Sequence, residues 1–130
     1  MDQDALLVAV VDDEEIVRRA LDRLLRSAGL KVVTFGGGAE LLACVLDLAP
    51  DCIVLDLHMP GISGFETMDF LPCNCPVVAI TGHDSPDARA GAKRAAAYLC
   101  KPIDDQTLLD AISEAIRKSS LSKTKTSQQT

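Results

Sequence analysis

The chain has 130 residues, a formal net charge of −6 and 48% hydrophobic residues, which is one domain's length with enough apolar side chains for a core. No apolar run approaches the roughly 18 residues of a membrane span, and acids in "MDQDALLVAVVDDEE" stand where a secreted protein carries a basic leader, so the expected location is cytoplasmic. The acidic balance argues against direct binding of nucleic acid, and five cysteines, an odd number, fit reduced thiols better than a disulfide framework.

In chain order, "LLVAVV" (6–11) is a valine-rich apolar run that predicts a strand buried on both faces. Ile16, Val17, Ala20, Leu21, Leu24 and Leu25 then recur at helical spacing, and Gly29 is a natural stop. "KVVTF" (31–35) predicts a second strand, and residues 39–49 a second helix closed by Pro50. "CIVL" (52–55) is the third strand. Ser63 followed three residues later by Glu66 is a capping-box pattern, so a short third helix starts there and Pro72 ends it. "PVVAIT" (76–81) is the fourth strand, residues 85–94 an alanine-rich fourth helix, and "AYLC" (97–100) the fifth strand. The last predicted helix covers 104–118, with acids first and Arg117 and Lys118 last, as the helix dipole favours. The polar stretch 119–130 has no core-forming pattern and reads as a disordered tail, leaving 1–118 as the domain. "PCNCP" places Cys73 near Cys75, but two thiols without further ligands are a weak metal signal.

Five alternations of strand and helix predict an α/β, doubly wound (βα)5 sandwich: a parallel five-stranded sheet of order 2-1-3-4-5, helices on both faces, and a shortened third helix. Ligands of such sheets bind beyond the carboxyl ends of the strands, where the winding reverses. At that edge stand Asp12 and Asp13 after strand one, Asp56 at the end of strand three, Thr81 after strand four and Lys101 after strand five. Each alone has an ordinary reading, as a helix cap, a strand-end residue or a solvated lysine. Together they make an acidic crevice with one ammonium. Clustered carboxylates raise one another's pKa or recruit a cation, and hard oxygen ligands suit Mg²⁺. A lysine charge and a hydroxyl opposite a metal-bound carboxylate suit a phosphoryl group. Asp56 is then the natural nucleophile, because a carboxylate forms an acyl phosphate.

The pieces "VVDDEE", "IVLDLHMPGISG", "VVAITGH" and "AYLCKP" occur in the order found in two-component response-regulator receiver domains, and the chain resembles that chemotaxis-regulator-like, flavodoxin-like family over most of residues 5 to 118. The resemblance implies that Asp56 is the phosphoacceptor and that Asp13, Asp56 and the backbone carbonyl of His58 ligate Mg²⁺, with Asp12 helping through water. It implies that Thr81 and Lys101 contact the phosphoryl oxygens and that Tyr98 is the switch aromatic, against the plainer reading of a ring packed at a sheet edge. It further implies a histidine kinase or histidine phosphotransfer protein as the phosphodonor. The output would be a change on the face of the fourth helix, fifth strand and fifth helix, read by a downstream protein that the sequence does not name. The domain is expected to signal and not to act as an enzyme, beyond assisting its own phosphorylation and dephosphorylation.

The pattern is not followed everywhere. The interval from Asp56 to Thr81 is shorter than the family's, the stretch from His83 to Lys101 also looks short, and Arg94 stands where a helix-ending glycine is expected. His58 and His83 occupy positions that tune phosphorylation and hydrolysis rates in the family, or are simply exposed loop residues. Two other functions compete. An aspartyl phosphohydrolase would need a second Asp where His58 stands, and a phosphorylation-independent interaction module would have no use for the intact pocket. Too few residues follow Lys118 for an output domain, so the expectation is a single-domain regulator or a piece of a longer chain.

Overall fold

The computed structural model describes residues 5–72 and 74–129. Five strands, β1 (Leu7–Val11), β2 (Lys31–Phe35), β3 (Cys52–Asp56), β4 (Val77–Thr81) and β5 (Ala97–Cys100), alternate with five helices. The helices are α1 (Glu15–Ser27), α2 (Gly38–Leu48), α3 (Gly64–Phe70), α4 (Pro86–Gly91) and α5 (Asp105–Gln129). All strand pairs are parallel and the sheet order is β2-β1-β3-β4-β5, as the alternation predicts.

The central strands β1, β3 and β4 are buried on both faces because helices cover both. Ala9, Val11, Ile53 and Leu55 point to one side, where Leu41 and Val45 of α2 and Met68 of α3 complete a core. The residues between them, Val8, Val10, Cys52 and Val54, point to the other, against Leu25 of α1 and Leu108 and Ile112 of α5. Each valine, leucine, isoleucine or methionine among them contributes about 1.5–3 kcal/mol by leaving water. The period-two alternation therefore ties the register to both cores at once, since a slip of one residue would exchange the two faces.

Local signals act where they stand in the sequence. Gly29 closes α1 at φ 90°, a left-handed conformation that glycine adopts without steric cost. The Ser63 hydroxyl accepts from Glu66 N at 3.2 Å while Glu66 Oε1 accepts from Ser63 N at 3.0 Å, completing the capping box of α3. Leu71, just before Pro72, ends that short helix. Gly64 is required by packing: a Cβ there would lie 2.4 Å from the Asp56 carbonyl oxygen and 2.6 Å from Leu57 Cα.

Two helix boundaries differ from expectation. The fourth helix ends at Gly91 instead of continuing to residue 94. Ala92 N bonds both Ala88 O and Arg89 O in a tightened turn, and Arg94 ties away from the helix to Asp69 of α3 at 3.2 Å. The fifth helix extends past Lys118, where the sequence pattern predicts its end. Its backbone runs on to Gln129, since no proline or glycine follows to break it. Cys73 lies outside the described residues, and Cys75 Sγ donates to Pro50 O at 3.1 Å.

Candidate functional site

The sheet register brings the predicted residues together. Val11 pairs with Leu55, so Asp12 leaves β1 beside Asp56 at the end of β3. Asp56 in turn pairs with Ile80, one residue before Thr81, and Thr81 pairs with Cys100, one residue before Lys101. Four strands therefore deliver their terminal polar groups to one edge, at the β1–β3 switch point.

Asp12 is fully buried, Asp56 is 3% exposed, and Asp13 is exposed at the rim. The three offer carboxylate oxygens that lie within 4.8 Å of one another. Lys101 Nζ reaches into this group, 3.2 Å from Asp12 Oδ2 and 3.6 Å from Asp56 Oδ2. Asp12 Oδ1 accepts from Glu14 N at 2.9 Å, so this carboxylate braces the turn entering α1 instead of capping the helix, whose N-cap is Glu14. Asp56 Oδ1 accepts from His58 N at 3.2 Å, which folds the loop after β3 back over the carboxylate.

Burial pushes the Asp56 carboxyl up from its ordinary range, and the charges of Asp12 and Asp13 add to that effect. The His58 amide and the Lys101 ammonium oppose it. For Lys101, burial acts to lower the pKa, but the charges of Asp12 and Asp56 together outweigh it and the net direction is up. The cluster thus carries more negative charge than its single lysine balances. Three hard oxygen donors from two neighbouring strands, two of them buried, fit Mg²⁺, which takes one or two carboxylates and keeps waters and phosphate oxygens in its remaining positions.

Thr81 is fully buried. Its Oγ1 accepts from His83 N at 3.0 Å, leaving the hydroxyl's own hydrogen to donate elsewhere, and its carbonyl accepts from Lys101 N at 2.7 Å. The Lys101–Pro102 peptide is cis. His58 and His83 are exposed at the mouth, their rings edge to face with centroids 5.4 Å apart. Tyr98 lies outside the pocket. Its ring packs on the core of the α2–α3 side, and its hydroxyl donates to Asp84 Oδ1 at 3.0 Å.

Three partners of the site were not singled out from the sequence. Glu14 Oε1 lies 3.8 Å from Lys101 Nζ. Arg18 Nη1 donates to Asp12 O at 2.7 Å, clamping the chain where it leaves β1. Asp84 holds Tyr98. "VVDDEE" and the helical spacing from Glu14 to Arg18 were the available signal for the first two. None existed for Asp84, whose contact depends on a loop path.

A family model described as "Response regulator receiver domain" matches residues 8–113. Nodulation protein W of Bradyrhizobium diazoefficiens is 40% identical over 117 residues, covering 86% of this chain and 52% of that protein. The transcriptional regulatory protein FixJ of Azorhizobium caulinodans is 38% identical, covering 89% of this chain and 57% of that one. The chain thus spans about half the length of these two relatives. Among solved structures, the signal receiver domain of a modulated diguanylate cyclase from Desulfovibrio desulfuricans superposes with a TM-score of 0.85 at 34% identity, covering 92% of this chain and 99% of that one.

Proposed function

The chain belongs to the response-regulator receiver family, and from that premise we propose that Asp56 is its phosphoacceptor and that Mg²⁺ is its cofactor. A histidine kinase or histidine phosphotransfer protein is the proposed donor, and the cytosol the place of reaction. The observation that carries the reading is the cluster itself: Asp12, Asp13 and Asp56 converge at one sheet edge with Lys101 between two of them.

In this reading an Asp56 carboxylate oxygen attacks the phosphorus of a phosphohistidine. The P–N bond breaks, the imidazole nitrogen keeps the electron pair and takes a proton from water, and an acyl phosphate forms on Asp56. Asp13, Asp56 and the backbone carbonyl of His58 would hold Mg²⁺, with Asp12 acting through water, and the bound ion supplies positive charge to the phosphoryl oxygens. Lys101 Nζ lies 3.6 Å from Asp56 Oδ2, which supports the reading that its ammonium meets the same oxygens. The Thr81 hydroxyl, with its own hydrogen available, donates to one of them.

Thr81 and Tyr98 are the proposed switch, and the face formed by α4, β5 and α5 the proposed output for a downstream protein. The test is intact-mass spectrometry after exposure to a small phosphodonor with Mg²⁺. One phosphate on the parent and none on Asp56→Asn supports the reading. Undiminished labelling of Asp56→Asn refutes it.

A further inference from the structure

Asp84 lies in the loop between β4 and α4, three residues after Thr81. Its carboxylate takes both prongs of the Arg89 guanidinium, Nε to Oδ1 at 2.9 Å and Nη2 to Oδ2 at 3.0 Å. The same Oδ1 accepts the Tyr98 hydroxyl at 3.0 Å. Arg89 also lies over the Tyr98 ring, its guanidinium carbon 4.9 Å from the centroid. One carboxylate therefore joins three separate elements: the β4–α4 loop, the short helix α4 and the edge strand β5. Arg89 is held in the planar two-pronged geometry that restricts it most, and it touches the tyrosine through the ring while Asp84 touches it through the oxygen. The pKa of Asp84 is lowered, first by Arg89 and then by Tyr98, so the acceptor stays ionised.

We propose that Asp84 and Arg89 are positioning residues that hold Tyr98 in its outward orientation, forming a latch that must open before the phosphorylated state is reached. This rests on the receiver reading of Asp56 and Thr81. Inward rotation of Tyr98 gives up the hydroxyl bond to Asp84 and the contact with Arg89 together, while Arg89 keeps its two-pronged partner. The latch thus sets the balance between the two states without touching the pocket.

Tyr98 is the only tyrosine of the chain, which has no tryptophan, so ring-labelled tyrosine gives a single set of resonances. The experiment titrates the protein with beryllofluoride and Mg²⁺, a phosphoryl mimic, and follows the Tyr98 ring. In Asp84→Ala and Arg89→Ala the mimic concentration at half-change falls by about two- to five-fold, the scale of exposed ion-pair contacts. Tyr98→Phe, which removes only the hydroxyl, lowers the midpoint in the same direction, read from backbone amides of α4. Arg89→Lys, which keeps the charge but not the fork, falls between Arg89→Ala and the parent. A parent that binds the mimic while all variants keep its midpoint overturns the latch alone. A parent that does not respond to the mimic overturns the receiver reading and the latch with it.

Discussion

Lys101 and Asp12 stand 89 residues apart in the chain and 3.2 Å apart in space, with the carboxylate fully buried and the lysine side chain 25% exposed. No local rule joins them. Their meeting is a property of the sheet order, because β1 and β5 each release a polar residue at the same edge.

Removing the ammonium should therefore have three effects, not all of one sign. Lys101→Ala leaves Asp12 and Asp56 without their cation and destabilises the metal-free protein by about 1–2 kcal/mol, less than a wholly buried pair because the lysine is partly solvated. The same variant binds Mg²⁺ more tightly, since three carboxylates then face the ion without competition, yet accepts phosphate about 100-fold more slowly. Urea denaturation, calorimetric Mg²⁺ titration and labelling kinetics check the three parts. A variant with weaker Mg²⁺ binding would contradict the charge argument.

The metal assignment predicts a loss at the rim. Asp13→Ala removes an exposed carboxylate from the cluster and should lower Mg²⁺ affinity about tenfold or more while leaving stability nearly unchanged. Equal affinities of parent and variant in the same titration would remove Asp13 from the site.

Asp56 gives a pH dependence. Its folded-state pKa is raised, so between the unfolded and folded values the native chain binds more protons and stability falls as pH rises through that window. Without Mg²⁺, Asp56→Asn should be more stable than the parent at neutral pH by roughly 1 kcal/mol, as expected when one of several crowded charges is removed. The difference should shrink as pH falls and Asp56 protonates. Denaturation midpoints from acid to neutral pH, with saturating Mg²⁺ as a parallel series, measure it. A gap that widens in acid would show the sign to be wrong.

Gly64 predicts a purely steric effect on the site. In Gly64→Ala the new methyl group meets the Asp56 carbonyl oxygen and Leu57 Cα at distances no Cβ tolerates, so the end of β3 or the start of α3 must move. The expected cost is about 2–3 kcal/mol, with slower phosphorylation although no pocket side chain has changed. Thermal unfolding and labelling rate together test it, and a variant with parental values in both would show that the loop yields freely.

Much of this fold is legible in the sequence. The order of five apolar runs and the helical periods between them imply the doubly wound sheet, because a strand buried on both faces needs helices on both sides. That Asp12, Asp13, Asp56, Thr81 and Lys101 share one edge was legible because topology sends every strand's carboxyl end there. Ser63, Glu66 and Gly29 act within a few residues of themselves, and such local chemistry reads directly. What the tertiary structure alone decided depends on where side chains from separate elements meet. The early end of α4 at Gly91 accompanies the turn at Ala92 and the reach of Arg94 to Asp69. The hold of Asp84 and Arg89 on Tyr98 arises from loop paths and side-chain rotamers. Apolar periodicity specifies which face of an element is buried, but carries no information about which polar group another loop will place beside it.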